Sequence, residues 1–244
     1  MRTSALHSIH QEHSAAIAGW RETGGMVLPA RYQQEADAAV LGLGDASWLR
    51  RSGIKGPAAA RHLESLGYPT PAQANRWLAL PGPGGVIARL GLTEYLLEDD
   101  GHACQALAAS TPPGGAYPVL RSDTALVLSG SVAPEVLLQT CSIDFTTISP
   151  ERGELVLTAM TGVPVLVIPL LAGPVPLYRI WCDPSYGPYL YRTLLSIVEE
   201  LGGGPIGVDQ LAPLLAASTQ SAAHSTTTSN NSGQPGRVHI PGEA

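Results

Sequence analysis

Charge is what this chain has least of. Charged residues make up 14% of it, against roughly 25% in an average globular domain. Lys55 is its one lysine, and the other basic residues are scattered arginines in a chain of net charge −6. Nucleic-acid binding needs clustered Lys and Arg, so that class is excluded. A polybasic membrane patch is excluded on the same ground. Cysteine is sparse as well. Cys104, Cys141 and Cys182 are odd in number and far apart, and no CxxC occurs. That excludes a disulfide framework and leaves reduced, buried thiols as the expectation. No ligand spacing or neighbouring base marks any of them as a metal ligand or nucleophile. Long apolar runs are missing too. Val163–Ala172 is broken by Pro164 and Pro169 and is about half a membrane span. The N-terminus has no basic-then-apolar signal pattern. A soluble, cytoplasmic protein is expected, with no nucleic acid and no membrane as partner. Reaction signatures are absent in turn: there is no G-x-S-x-G elbow, H-E-x-x-H pair or Walker loop.

What is present is a packed-domain pattern. The stretch Ala116–Phe145 reads as strand, turn, helix, strand. Thr124–Ser129 is a short apolar run ended by Gly130, as in a buried strand. Ser131 is in place to cap the following helix, Pro134 fits its first turn, and Ile143–Phe145 leaves extended. Further strands are expected at 41–54, 77–80, 86–90, 95–97, 154–161, 163–169 and 177–181. Helices are expected at 4–18, 33–40, 58–66, 102–110 and 189–201. Gly24-Gly25 opens a loop running to Pro29. Glu98-Asp99-Asp100-Gly101 reads as a solvated turn, and Glu199-Glu200 as the exposed end of a helix. His7, His10 and His13 recur every third position. They read as a solvated polar face or as a metal site, and nothing completes the metal site. Gly202–Gly207 matches G-x-G-x-x-G but follows a helix, so it reads as a helix stop. Tyr186, Tyr189 and Tyr191 are aromatic candidates for ligand stacking or core packing, with core packing expected for at least two.

The expected fold class is α+β, in one domain over residues 1–216 with similar halves of about 1–110 and 116–216. Thr111–Gly115 is the linker between them. From 217 the chain turns to Ser, Thr, Asn, Gln and Gly. A tail with so few apolar residues does not offset its ordering entropy, so 217–244 is expected to be disordered.

Several segments carry a family likeness. LHSIHQEH, Leu28–Tyr32 (LPARY), LGLGDASWLRRSGIKGPAAARHLESL and GGVIARLGLTEYLLED resemble the folate-binding domain of glycine-cleavage T-proteins, the aminomethyltransferases. PVLRSDTALVLSG, APEVLLQTCSIDF and YRIWCDPSYGPYLYRTLLSIVEELGG resemble the gamma subunit of heterotetrameric sarcosine oxidases, of the same superfamily. The resemblance implies two β-β-α-β-type halves around a tetrahydrofolate channel, without the C-terminal barrel of true T-proteins. Catalytic members carry an aspartate pair after the Gly-Gly of the first hairpin; Ala88 and Arg89 stand there instead. The G-E-x-G-Y-E-like strand that grips the pterin corresponds to Gly173–Ile180, which has no carboxylate. The K-G-C-Y-x-G-Q-E motif of the iron–sulfur-linked folate proteins is absent. The resemblance therefore implies a non-catalytic subunit beside flavoprotein subunits, in an amine-oxidising, one-carbon complex. Tetrahydrofolate is its implied ligand, and flavin and NAD belong to the partner subunits. No catalytic or metal residues are assigned. Arg121, Asp123, Tyr178 and Arg179 are the candidate folate contacts, with Arg121 and Arg179 read either as holding the glutamate tail or as structural ion pairs. Two alternatives stay open. One is a stand-alone folate-dependent aminomethyl or methyl transferase, with Glu94, Arg121 and Asp123 as its candidate groups. The other is a folate-binding regulatory protein.

Overall fold

The computed structural model describes residues 2–229. A short helix, α1 (His7–Glu12), leads into the hairpin β1 (Ile17–Thr23) and β2 (Met26–Tyr32). The helix expected over 4–18 is thus cut short by a strand, and the loop expected from Gly24 is a two-residue turn. Gly24 and Gly25 both have positive φ, 56° and 76°, as a twisted hairpin's turn demands. At Gly24 the demand is double: a Cβ would stand 2.1 Å from the Trp48 carbonyl oxygen. At Gly25 it would meet nothing. We expect Gly25→Ala to cost about 1 kcal/mol and Gly24→Ala about 3 kcal/mol in urea unfolding. Equal losses would mean the contact with Trp48 does not matter.

The segment read as one strand over 41–54 is two. β3 (Gly42–Asp45) and β4 (Arg50–Lys55) are separated by a turn in which the Ser47 N–H donates to Asp45 Oδ1 at 2.9 Å. Then follow α2 (Ala59–Ser65), β5 (Arg76–Ala79), β6 (Val86–Arg89), β7 (Glu94–Asp99), α3 (His102–Ala109) and β8 (Tyr117–Val119). The second half has β9 (Thr124–Ser129), α4 (Ala133–Thr140), β10 (Val156–Met160), β11 (Val163–Ala172), β12 (Val175–Cys182), α5 (Gly187–Glu200), β13 (Gly204–Pro205) and α6 (Val208–Ser229). The helix expected over 33–40 does not form. Val132, without a side-chain cap, stands where Ser131 was expected to act. Ile143–Phe145 does not continue extended: Asp144 caps a 3-10 turn by accepting from the Thr146 N–H.

The halves repeat more fully than the sequence suggests. Each runs β-α-β-β-β-α-β and includes the expected β-β-α-β order. The first forms a five-stranded sheet in the order β5-β6-β7-β4-β8. The second forms β10-β11-β12-β9-β3-β13, the same order with β3 inserted beside β9. Side-chain alternation then sorts the layers. Ala88 and Leu96 of one sheet pack against Val127, Ile168 and Trp181 of the other in a shared inner core. Leu97 and Ile87 face outward onto α2 and α3, through Leu63 and Leu107. Leu126 and Leu128 face outward onto α4 and α5, through Leu137, Leu190 and Leu194. The central strands, such as β7, β9 and β11, are therefore largely buried on both faces, which is why they read as apolar runs. Among the described residues there is no closed barrel, and no helix is long and apolar enough to cross a membrane.

α6 corrects the expected start of the tail. It packs on β11, β2 and β5, and Leu211 and Leu215 enter the inner core. Ser218 and Thr219 are buried although the composition there is polar. Their hydroxyls donate back to the Leu215 and Ala216 carbonyls at 2.8 and 3.2 Å, so burial leaves them paired. The rest of the expected tail, 230–244, lies outside the described residues.

Candidate functional site

The inner face of β4 and β7 is where charge enters the core. Arg51 and Glu98 are direct partners across that antiparallel pair. Arg179 and Trp181, two apart on β12, share a face and reach across from the opposite sheet. Glu98 accepts from Arg179, from Arg51 at 2.7 Å and from the Trp181 indole N–H at 2.6 Å. Arg179 also donates to the Gly84 carbonyl at 2.7 Å and lies over the Trp181 ring at 5.6 Å. Glu98 is 0% exposed and Arg179 1%. Burial pushes the Glu98 carboxyl up, but Arg179, Arg51 and the indole outweigh it and hold it below the usual carboxylate range. The turn expected to be solvated is thus mostly buried. Asp99 accepts from the Gly101 and Cys104 N–H groups at 3.0 and 3.4 Å, fixing the start of α3. Only Asp100 of the three acids is exposed.

Beside this strut an apolar cleft of about 390 Å³ opens between the sheets. Leu90 and Leu96 line one wall, Leu166 and Trp181 the other, and Arg121 and Asp123 its polar end. Arg121 donates to Glu94 at 2.5 Å and stands 3.7 Å from Asp123. Its guanidinium lies against Gly53, whose missing Cβ leaves the room: Nε would be 3.3 Å from that atom. Cys182 lines the cleft too, its thiol pushed up to about 11 by burial and by the charges of Asp123 and Asp183. Such a thiol stays protonated and is no nucleophile at neutral pH.

The structure brings together Arg121 and Asp123 from the expected contacts. Arg179 does not line the cleft and is committed to Glu98 and Gly84. Tyr178 does not join them. It is the neighbour of Arg179 on a strand, so it points to the other face, edge-on to Phe145 at 5.7 Å. Glu94, named for a transferase, is the partner of Arg121. Ala88 sits in the apolar inner wall at 0% exposure. Arg89 donates to the Pro71, Ala72, Gly91 and Leu92 carbonyls, which organises a loop. Arg51 and Trp181 carry no site reading in the sequence, and Glu98 reads there only as part of a solvated turn. The available signal was that the inward alternation of β7, Glu94, Leu96, continues to Glu98.

A second buried polar pair lies elsewhere. His10, 3% exposed, meets Asp45 at 3.0 Å, and Ser4 donates to the same oxygen at 2.6 Å. The solvated-face reading therefore fails for His10 and holds for His7 and His13, which are exposed. No group of three metal-ligating side chains forms among the described residues. Of the three tyrosines, Tyr191 is buried against His10, whereas Tyr186 and Tyr189 are about half exposed. Core packing thus holds for one of them, not two.

No family model and no curated protein matches the sequence. Solved structures do match the fold. Glycine cleavage system aminomethyltransferase T from Bartonella henselae superposes with a TM-score of 0.64 at 16% identity, over 91% of this chain. The chain has the aminomethyltransferase T fold. It spans 63% of that relative's length, so more than a third of the transferase has no counterpart here. A chain of the heterotetrameric sarcosine oxidase from Corynebacterium sp. U-96, in complex with pyrrole 2-carboxylate, matches with a TM-score of 0.56 at 19% identity. That match covers 83% of this chain and 97% of the other. The α+β class and the likeness to both groups are thereby borne out at the level of fold.

Proposed function

We propose that this chain is a non-catalytic folate-domain subunit of a sarcosine-oxidase-like, tetrahydrofolate-linked amine-oxidising complex of the cytoplasm. Flavin and NAD chemistry belongs to its partner subunits. The observation that carries this reading is Ala88. Where the family likeness places a catalytic aspartate, this chain has a methyl group inside an apolar wall. The near end-to-end cover of a sarcosine oxidase chain supports a subunit role. The cleft supports a folate: its leucine and tryptophan walls suit a flat heteroaromatic ring, and Arg121 and Asp123 offer a cation and an acceptor at one end.

The test is purification of the tagged chain from its native cell, with the intact mass and the visible spectrum of what comes with it. We expect recovery in fixed ratio with subunits that carry flavin absorbance. Recovery of the chain alone would overturn the subunit role. Titration of the isolated chain with tetrahydrofolate then checks the ligand. A measurable heat that weakens at least tenfold in Asp123→Asn supports the cleft, and no heat overturns it.

A further inference from the structure

On the other side of the Arg121–Asp123 pair is a second pocket, of about 360 Å³, between the N-terminal segment, the β3–β4 turn and the loop entering β9. Three buried side-chain polar atoms without a hydrogen-bond partner belong to residues lining this pocket: Arg51 Nε, Arg121 Nε and Asp123 Oδ2. The Arg51 side chain is 3% exposed, so its unused donor is deeply buried. Leaving such groups unpaired costs free energy, and their concentration in one place calls for an absent partner.

The charge balance names the partner's sign. Arg2 lines the pocket, donates to the Gly24 and Trp48 carbonyls at 3.0 Å each, and pairs with no carboxylate among the described residues. Glu98 is shared by Arg51 and Arg179. Of the charged residues that line the pocket itself, three are guanidinium groups, Arg2, Arg51 and Arg121, and one is a carboxylate, Asp123. The excess is positive, and the unused donors are guanidinium N–H groups, which suit oxyanions. Asp123 adds a condition. Its free oxygen accepts only, so an oxyanion beside it must carry a proton of its own.

We propose that this pocket binds a phosphate-class oxyanion in its protonated form, with its oxygens toward Arg51 and Arg121 and its P–OH donating to Asp123. Free hydrogen phosphate and the phosphate of a small monoester share the tetrahedral oxyanion core. The pocket volume leaves space for a monoester's substituent. The site does not depend on folate or on a flavoprotein partner.

Sulfate is the discriminating probe, since it has the same shape but no proton at neutral pH. Inorganic phosphate, sulfate and methyl phosphate are titrated into the full chain by calorimetry at one ionic strength, because screening weakens every guanidinium contact alike. The pH is about 5.5, below the second pKa of a phosphate monoester at about 6, where phosphate and methyl phosphate both keep a P–OH and sulfate has none. We expect phosphate to bind at least tenfold more tightly than sulfate. Asp123→Asn, which replaces an acceptor by a group that also donates, should bring the two within about threefold. Arg121→Gln should weaken phosphate at least tenfold. Methyl phosphate binding more tightly than phosphate assigns a monoester, and the reverse assigns the free ion. Equal phosphate and sulfate affinities in the unaltered chain, or no heat from any of the three, overturn the proposal without using a variant. A tetrahydrofolate heat alongside either result leaves the folate reading intact, so the two fail separately.

Discussion

Glu98→Ala is expected to destabilise the protein by about 3–5 kcal/mol, because it strands two buried guanidinium groups rather than removing one bond. Arg51 and Arg179 both rely on Glu98, and their side chains are 3% and 1% exposed. Neither has a second carboxylate within reach, since their other donors go to the Ser47 and Gly84 carbonyls. In a domain of this size that loss is a fall of roughly 6–20 °C in Tm. Glu98→Gln keeps the shape and one acceptor but not the charge, so it should recover little. The effect is also structural in kind: Glu98 and Arg51 belong to one sheet and Arg179 and Trp181 to the other, so the carboxylate ties the sheets beside the cleft. Replacing Arg51, Glu98 and Arg179 together by methionine or leucine should recover much of the loss, as apolar replacements of buried ion networks do. A thermal melt of Glu98→Ala within about 1 kcal/mol of the unaltered chain would show that water reaches the two arginines and that the strut contributes little.

How far the sequence led can be seen at β9 and β7. Thr124–Ser129 was legible to the residue because both its faces are buried and Gly130 ends it. That glycine has φ 109°, and a Cβ there would stand 2.3 Å from the Val40 carbonyl oxygen. α5 was legible within two residues at each end from its apolar spacing. β7 was legible only to Leu97. The next four residues, Glu-Asp-Asp-Gly, carry the composition of a turn, and local composition has no means of showing that Arg179, eighty-one positions on, waits for Glu98. The β1–β2 hairpin failed for a similar reason. Ala15, Ala16 and Ala18 around its start favour helix locally, and the pairing that wins is settled by a Gly-Gly turn and by packing against Trp48. Arg121 and Asp123 were found as chemistry before they were found as a place. Their partners Gly53 and Glu94 come from other strands, so the cleft they border was not readable from their own segment.

The acid limb of stability offers the second large effect, through Asp45. This carboxylate is 7% exposed and takes hydrogen bonds from Ser4 Oγ at 2.6 Å, from His10 at 3.0 Å and from the Ser47 N–H at 2.9 Å. Burial alone would push its carboxyl up. The hydrogen bond and charge of His10, with the Ser4 and Ser47 hydrogen bonds, reverse this and hold it below the usual range. A carboxyl depressed in the folded state stabilises the fold at pH above its unfolded value, about 3.9. That stability is lost as pH falls below 3.9 and through the folded value. Asp45→Ala leaves His10 and Ser4 buried without their shared acceptor, and should cost about 3–5 kcal/mol near neutral pH. Asp45→Asn keeps an acceptor for Ser4 and Ser47 and should lose less. Both variants also lack the proton uptake that unfolds the parent in acid, so urea-unfolding free energies should fall less steeply between pH 4 and 2 than in the unaltered chain. Parallel acid limbs for parent and variant would mean that Asp45 is not depressed by its partners, and that α1 is held to β3 by the packing of Leu6 and Ile9 on Leu43 rather than by the hydrogen bonds to Asp45.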